Sequence, residues 1–273
     1  MKGEFIRVTK RDPCPICKKP DWCEITADGR GAICMRVESQ RKTRNGGWWH
    51  WLKDAPPERL LLNRKVQENT KRTPAELLHM MDRWAAKTTD EMMGALGTAL
   101  GVAAWALSDM GAVYADVHSA WAFPMRRFNG ELAGIRLRAA TGKKWAVAGS
   151  RDGLFFGVNE PETIDTLFVC EGPTDTAAAL TIGLYAVGRP SCRGARLEVK
   201  LLAFRWGAKR VCVVADRDKP GQDGGIELCR RMGMAAAMIV PPAKDMREWV
   251  QQGAKRADVE KALDQTEWKW RWA

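Results

Sequence analysis

Thr166-Leu-Phe-Val-Cys-Glu-Gly-Pro-Thr-Asp175 and Arg210-Val-Cys-Val-Val-Ala-Asp-Arg-Asp218 are the two stretches that decide the fold. Each opens with a short, bounded apolar run rich in β-branched residues, which reads as a buried strand rather than a helix. Each run ends on acid: Glu171 and Asp175 after the first, Asp216 and Asp218 after the second. A carboxylate just past the carboxyl end of a parallel strand sits at the crevice where open α/β sheets bind ligands. Several carboxylates converging there repel one another unless a divalent cation neutralises them.

The segments between and beyond the two runs fit a parallel sheet. Thr176 to Gly183 reads as a helix, Leu184 to Gly188 as a strand, Gly194 to Trp206 as a helix and Gln222 to Met232 as another. Ala235 to Val240 gives a further strand, and Asp245 to Gln252 and Asp258 to Asp264 give the last helical pieces. Strands alternating with helices of about three turns mean βαβ units. Tyr185 falls in one of these strands and is expected in the core.

Glu171-Gly-Pro-Thr-Asp175, Asp216-Arg-Asp218 and Lys244-Asp245, each following a strand, resemble the Toprim domain of primases and topoisomerases. The resemblance implies a Mg²⁺ (or Mn²⁺) site for nucleotidyl transfer, with Glu171, Asp216 and Asp218 as the catalytic acids. Asp216 and Asp218 would be the main ligands, Glu171 a further ligand or general base, and Asp175 and Asp245 second-metal or supporting acids. The family often carries another acid two residues after the Asp245 position, where this chain has Arg247. Read from the residues alone, Asp216 and Asp218 could also be a capping pair ahead of the next helix.

Upstream, Ser119 to Gly157 is rich in strand signals. Trp121 to Met125 and Leu132 to Arg138 flank an Asn129-Gly130 turn, the strongest short-range hairpin signal, and Lys143 to Val147 follows a turn at Thr141-Gly142. Arg136 and Arg138 alternate with Ile135 and Leu137, so one face of that strand carries two guanidinium groups. The stretch is similar to the subdomain that precedes Toprim in bacterial and phage primases, down to a Gly-Leu-Phe-aromatic-Gly end at Gly153 to Gly157. The resemblance implies that Arg138 and Lys144, with Arg136 beside them, hold template or nucleotide phosphates. A solvated β-face is the plainer reading of the same residues. Lys219 and Lys244 are placed to meet a triphosphate.

The amino-terminal part carries a different chemistry. Cys14-Pro-Ile-Cys17 is a metal knuckle, and Cys23 and Cys34 lie on two short expected strands, Trp22 to Thr26 and Gly31 to Arg36, joined by a turn at Asp28-Gly29. Four thiolates in so short a segment suit one tetrahedral Zn²⁺ that the segment needs in order to fold. Cys34 lacks a partner cysteine two residues away, which makes His50 the substitute ligand to consider, or else a surface histidine beside tryptophans. Arg11, Lys18, Lys19, Arg30, Arg36, Arg41, Lys42 and Arg44 interleave with Trp22, Trp48, Trp49 and Trp51. Cations for phosphates and aromatic faces for stacking suit a single strand of nucleic acid; alternatively, the tryptophans supply a small core.

The remaining segments are less informative. Lys53 to Thr73 is charged and Pro-bearing and reads as a linker. Pro74 to Ala86 reads as a helix capped by Thr73 with Leu77, Leu78, Met81 and Trp84 inward, and Thr89 to Leu100 as another. The end, Glu267-Trp-Lys-Trp-Arg-Trp272, alternates cation and aromatic.

Composition narrows the partners. A net charge of +11 over 273 residues favours a polyanion. No apolar run is long enough for a bilayer, and no signal-peptide core opens the chain. The scattered Cys170, Cys192, Cys212 and Cys229 then read as buried thiols of a reducing, cytoplasmic protein. No phosphate-binding-loop motif occurs, so a helicase would be a separate partner. The two tyrosines, Tyr114 and Tyr185, argue against a topoisomerase.

The expected architecture is α/β in five parts. A zinc-ribbon-like module (1–52) and a linker (53–74) precede a mixed α+β basic subdomain (75–160); a Toprim domain with a mainly parallel sheet flanked by helices (161–264) and a tail (265–273) follow. The order resembles the catalytic layout of a bacterial-type or phage DNA primase. That implies RNA primers made from ribonucleoside triphosphates on a single-stranded DNA template, in phage or mobile-element replication. The alternatives are a Toprim nuclease and a non-catalytic zinc protein that binds single-stranded DNA.

Overall fold

A computed structural model describes residues 5–27, 29–43, 46–52, 71–266 and 268. The expected turn residue Asp28, the basic Arg44, most of the linker (53–70) and most of the aromatic tail (267 and 269–273) lie outside the described residues. The chain divides into two compact units, Met1–Thr70 and Lys71–Ala273.

The first unit is one four-stranded antiparallel sheet in the order β1-β2-β3-β4. Its strands are β1 (Phe5–Arg7), β2 (Glu24–Thr26), β3 (Gly31–Cys34) and β4 (Trp48–Trp51). The Thr26 hydroxyl donates to the Gly31 carbonyl and accepts from the Gly31 N–H, which closes the turn between β2 and β3. Its core is small: Val8, Cys14, Cys23 and Cys34, with Ile16, Cys17, Ile25 and Met35 packed around them. Trp49 makes edge contacts with Phe5 and Trp51, while Trp22 and Trp51 themselves are 75% and 62% exposed. Those two tryptophans are therefore surface groups, not core.

The second unit begins where Arg72 ties the chain to the carbonyls of Gly149 and Ala148. Helix α1 (Pro74–Ala85) follows, started by a reciprocal capping box between Thr73 and Glu76 with Pro74 in the first turn. Leu77, Met81 and Trp84 recur at helical spacing and are buried, but Leu78, expected inward, is 54% exposed. Its position next to Leu77 turns it about 100° away from that stripe. Helix α2 (Asp90–Leu100) starts on a Thr89 cap and ends at Gly101, and α3 (Ala104–Asp109) is a short extra piece. The stripe of α1 covers one face of a second antiparallel sheet, ordered β5 (Val113–Ala115), β6 (Ala120–Arg126), β7 (Leu132–Ala139), β8 (Lys144–Ala146).

The third sheet is wholly parallel, in the order β10-β9-β11-β12: β9 (Thr166–Glu171), β10 (Ala186–Arg189), β11 (Arg210–Val214) and β12 (Ala235–Ile239). Helices α4 (Pro173–Thr181), α5 (Arg196–Arg205) and α6 (Lys219–Met232) join its strands, and α7 (Met246–Gln251) and α8 (Arg256–Asp264) follow. Both faces are covered, as a parallel sheet requires. Phe168, Cys170, Cys212 and Val214 enter one core with α4, α7 and α8 residues, while Leu167, Val169, Val211 and Val213 enter another with α5 and α6 residues. Tyr185, expected in the core, is 49% exposed: β10 is the edge strand and begins one residue later. Cys192, expected buried, is half-buried in the loop that follows β10. Among the described residues no helix is long and apolar enough to cross a membrane.

Candidate functional site

Strand order sets the site. From β9 the chain crosses to one side, to β10, and then returns past β9 to β11, so the direction of winding reverses between β9 and β11. Ligands of open α/β sheets bind at the carboxyl ends beside such a reversal. Val169 is level with Val213, which puts the last residue of β9, Glu171, level with Ala215, one residue before Asp216. Val214 is level with Ile239, so the segment carrying Asp245 leaves the same edge.

Local structure fixes each acid. Asp218 caps α6 by accepting the Gly221 N–H at 2.7 Å, and Asp245 caps α7 by accepting the Glu248 N–H at 2.8 Å. Asp175, in the first turn of α4, accepts the Arg247 backbone N–H at 3.0 Å, which ties α4 to α7 across the crevice. Asp175 and Asp245 are almost wholly buried. Capping, the structural alternative for the Asp216 and Asp218 pair, thus accounts for Asp218 alone and uses one of its oxygens.

Electrostatics shows that the acids share one crevice. Burial first, and then the charges of Asp175, Glu171, Asp245 and Asp218, push the Asp216 carboxyl up to about 7. Burial and the Asp245 charge raise Asp175 to about 7, against the Arg247 N–H and the charges of Arg247 and Lys144. Burial raises Glu171 as well, opposed by Arg189 and reinforced by Asp218. Oxygen-only donors of this kind suit Mg²⁺ or Mn²⁺.

The basic residues divide. Arg138 and Lys144 are cross-strand partners on β7 and β8, and Arg138 feels the charges of Arg247, Asp175 and Asp245. The Arg136 guanidinium donates to the Pro190 carbonyl at 3.1 Å, so it holds the loop after β10. Lys219 is exposed on α6 and pairs with Asp223 at 3.4 Å; Lys244 is exposed just ahead of Asp245. Two arginines on the crevice were not assigned a role from sequence. Arg189, level with Glu171, is 2% exposed, donates to the Cys192 carbonyl and leaves its Nε without a partner. Arg247 has a buried, unpartnered Nε of its own. For Arg189 the available signal was its place at the carboxyl end of an expected strand.

The first unit has a second centre. The sulfurs of Cys14, Cys17, Cys23 and Cys34 all lie within 4.8 Å of one another. Among the described residues they are the one group of three or more candidate ligands that close together, so the acids sit further apart than this. The Met35 and Val37 N–H groups point at the Cys23 and Cys34 sulfurs, at 3.4 and 3.3 Å. Burial raises Cys14 and takes Cys23 to about 12, whereas at Cys17 burial is outweighed by the Lys19 N–H and the neighbouring thiols, which bring it down to about 7; a cation is needed to keep Cys14 and Cys23 as thiolates. This donor set fits Zn²⁺. His50, considered as a substitute ligand, instead sets its Nε2 3.1 Å from the Val37 carbonyl. Arg36 reaches the Cys17 and Cys23 sulfurs at 4.0 and 3.9 Å and lies over the exposed Trp22 ring.

Among solved structures, the chain is similar to the zinc-binding and RNA polymerase domains of the Aquifex aeolicus primase, at 14% identity and a TM-score of 0.54, covering 94% of this chain and 78% of that one. A DnaG primase catalytic domain bound to single-stranded DNA matches at 16% identity and a TM-score of 0.54, over 70% of this chain and 79% of that one. The primase fragment of the bacteriophage T7 primase-helicase protein matches at 17% and 0.50, over 94% and 99%. The fold is that of a DNA primase. No protein-family model matches the chain, and no curated protein does. Identities of 14–17% carry the primase fold, and the chemistry has to be read from the side chains.

Proposed function

We propose that this protein is a DNA-directed primer synthase: it joins ribonucleoside triphosphates into short RNA primers on single-stranded DNA. The observation that carries the reading is the convergence of Glu171, Asp216 and Asp218 on one sheet edge, beside the winding reversal, within reach of a strand that offers Arg138 and Lys144. Glu171, Asp216 and Asp218 hold a divalent ion, Mg²⁺ or Mn²⁺. When bound, the ion lowers the pKa of a 3′-hydroxyl and offsets charge on the phosphoryl group and the pyrophosphate. Arg138 and Lys144 hold template and nucleotide phosphates, and Lys219 and Lys244 stand where a triphosphate tail would pass. Asp175 and Asp245 support the ion-binding acids from below, fixed by the backbone bonds of α7.

The amino-terminal unit holds Zn²⁺ and selects the template, with the exposed Trp22 and Trp51 as stacking faces. The replicative partner is a separate helicase, the activity joined to primase in the bacteriophage T7 primase-helicase protein. Phage or mobile-element replication in a bacterial cytoplasm is the setting this combination fits.

Purified, zinc-loaded protein should incorporate labelled ribonucleotides on single-stranded DNA in the presence of Mg²⁺ or Mn²⁺. Asp216→Ala should lower this more than about 100-fold, the loss expected when a group that acts only in the transition state is removed. Cleavage of the template without incorporation would turn the reading into a nuclease. DNA binding with no turnover, unchanged by Asp216→Ala, would leave a binding protein.

A further inference from the structure

Helix α5 is apolar on two sides. Val199, Leu202 and Ala203 are buried in the core it shares with β9, β11 and α6. On the opposite side stand Leu197, 67% exposed, Leu201, half-buried, and Phe204, 84% exposed. They recur at four and then three residues, so they form one stripe about 10 Å long on the helix surface. A helix that is apolar all round is normally covered on both sides. Phe204 is the most exposed large hydrophobic residue among the described residues.

The two borders of the stripe differ in charge. At about 100° per residue, Arg196 and Lys200 lie on one side of it, and Arg205 and Glu198 on the other. On the first side Arg196 and Arg231 of α6 share a single carboxylate, Glu227. Arg193 adds its charge to theirs on that acid, and the exposed Lys200 stands one helical turn from Arg196. Asp223, one turn before Glu227 on α6, is already matched by Lys219 at 3.4 Å. This border is therefore strongly positive. On the second side Arg205 pairs with Glu160 at 2.8 Å, and Glu198 accepts the Phe128 N–H at 2.7 Å. That border is close to neutral.

We propose that the outer face of α5 is a docking site for an acidic amphipathic helix of another protein. The partner's apolar residues would cover Leu197, Leu201 and Phe204, and its carboxylates would lie along Arg196 and Lys200. A second copy of this chain fits less well. An antiparallel two-fold contact would set the positive border against its own copy. Three side chains over two turns also fall well short of the roughly 800 Å² per partner of a standard interface, which suits a transient partner. Nucleic acid would find the cations, but Leu197 and Leu201 offer no ring on which a base could stack. None of the three stripe residues has a role in the acid crevice, so docking can be measured apart from primer synthesis.

The probe is a fluorescently labelled synthetic peptide of about 16 residues, with leucines repeating at three and four and glutamates elsewhere. Its control has the same composition with the leucines spread round the helix. By fluorescence anisotropy, zinc-loaded full-length protein should bind the amphipathic peptide at least about tenfold more tightly than the control. Phe204→Ser and Leu197→Ser, at exposed positions outside the core, should each weaken binding about fivefold or more, the scale of a truncated interface residue. Circular dichroism should be unchanged in both; if one is unfolded, the other decides. Lys200→Glu should also weaken binding, and should improve binding of a peptide with lysine in place of glutamate. No preference for the amphipathic peptide, or wild-type affinity in the folded serine variants, overturns the proposal. A wild-type dimer in sedimentation velocity that Phe204→Ser dissolves overturns it in favour of a second copy. Binding of single-stranded DNA or of phosphatidylglycerol vesicles that Phe204→Ser abolishes overturns it in favour of a polyanion.

Discussion

Asp216 carries the sharpest consequence of burial. Its carboxyl is pushed up to about 7 in the fold against 3.8 for a free aspartate side chain, with burial as the largest cause and four neighbouring acids behind it. The folded state therefore holds a proton that the unfolded chain has already released. Stability from this group is complete below the unfolded value and drains away as the pH climbs through about 7. Asp175 adds a contribution of the same sign over the same window. Metal-free protein should accordingly lose stability between pH 5.5 and 8. Asp216→Asn should flatten that slope, and Mn²⁺ should restore stability at pH 8 by binding the ionised, folded form. Urea midpoints at the two pH values, with and without Mn²⁺, check this. The acids were legible in the sequence because each follows a bounded apolar run. Two of their cations were not: Arg189 only follows an expected strand, and Arg247 reads only as the absence of an acid, until the sheet brings them to the same edge.

At the level of elements, the carboxyl ends of the strands and the amino ends of the helices form one structure. A methyl group on Gly221, at the start of α6, would sit 2.9 Å from the Asp216 Cβ and carbonyl oxygen and 3.0 Å from an Asp218 oxygen. The first turn of the helix is thus packed directly on the two acids, and it has no room to spare. Gly221→Ala should displace both carboxylates. Ribonucleotide incorporation should fall at least about 10-fold, the scale of a misplaced catalytic group, while overpacking costs about 1–3 kcal/mol. Kinetics and urea unfolding on the same sample separate the two effects. Elements of this kind, with flanking apolar runs and capping residues, were readable in advance. The shorter ones were not. Three residues at Phe5–Arg7 or Val113–Ala115 show no period, and Trp48–Trp51 reads as a stacking surface before its pairing with β3 is known. Leu78 and Tyr185 were placed inward because apolar character was taken for burial, whereas one lies off the helix stripe and the other at a sheet margin.

For the molecule as a whole, the two units rest on different forces. The second has three extensive apolar clusters, while the first has, among the described residues, one cluster of four buried residues, three of them cysteines. A core that small cannot hold a fold by burial alone, so metal ligation has to supply the balance. A strong chelator should unfold residues 5–52 and leave the second unit cooperative, with its Tm unchanged within about 2 °C, because no ligand in it is thiolate. Near-ultraviolet circular dichroism, dominated in the first unit by Trp22, Trp48, Trp49 and Trp51, would follow the one, and calorimetry the other.

One backbone contact in the second unit reaches beyond chemistry. Phe155 and Gly188 exchange both of their amide hydrogen bonds, at 2.9 and 2.7 Å, and so place a residue of the connecting segment against the outer side of β10. That flank of the parallel sheet is thereby stoppered, and a neighbouring copy has no ladder of unpaired amides to extend there. Any self-association by strand addition would be steered to β12 at the far flank, away from the loop that Arg136 and Arg189 hold in place.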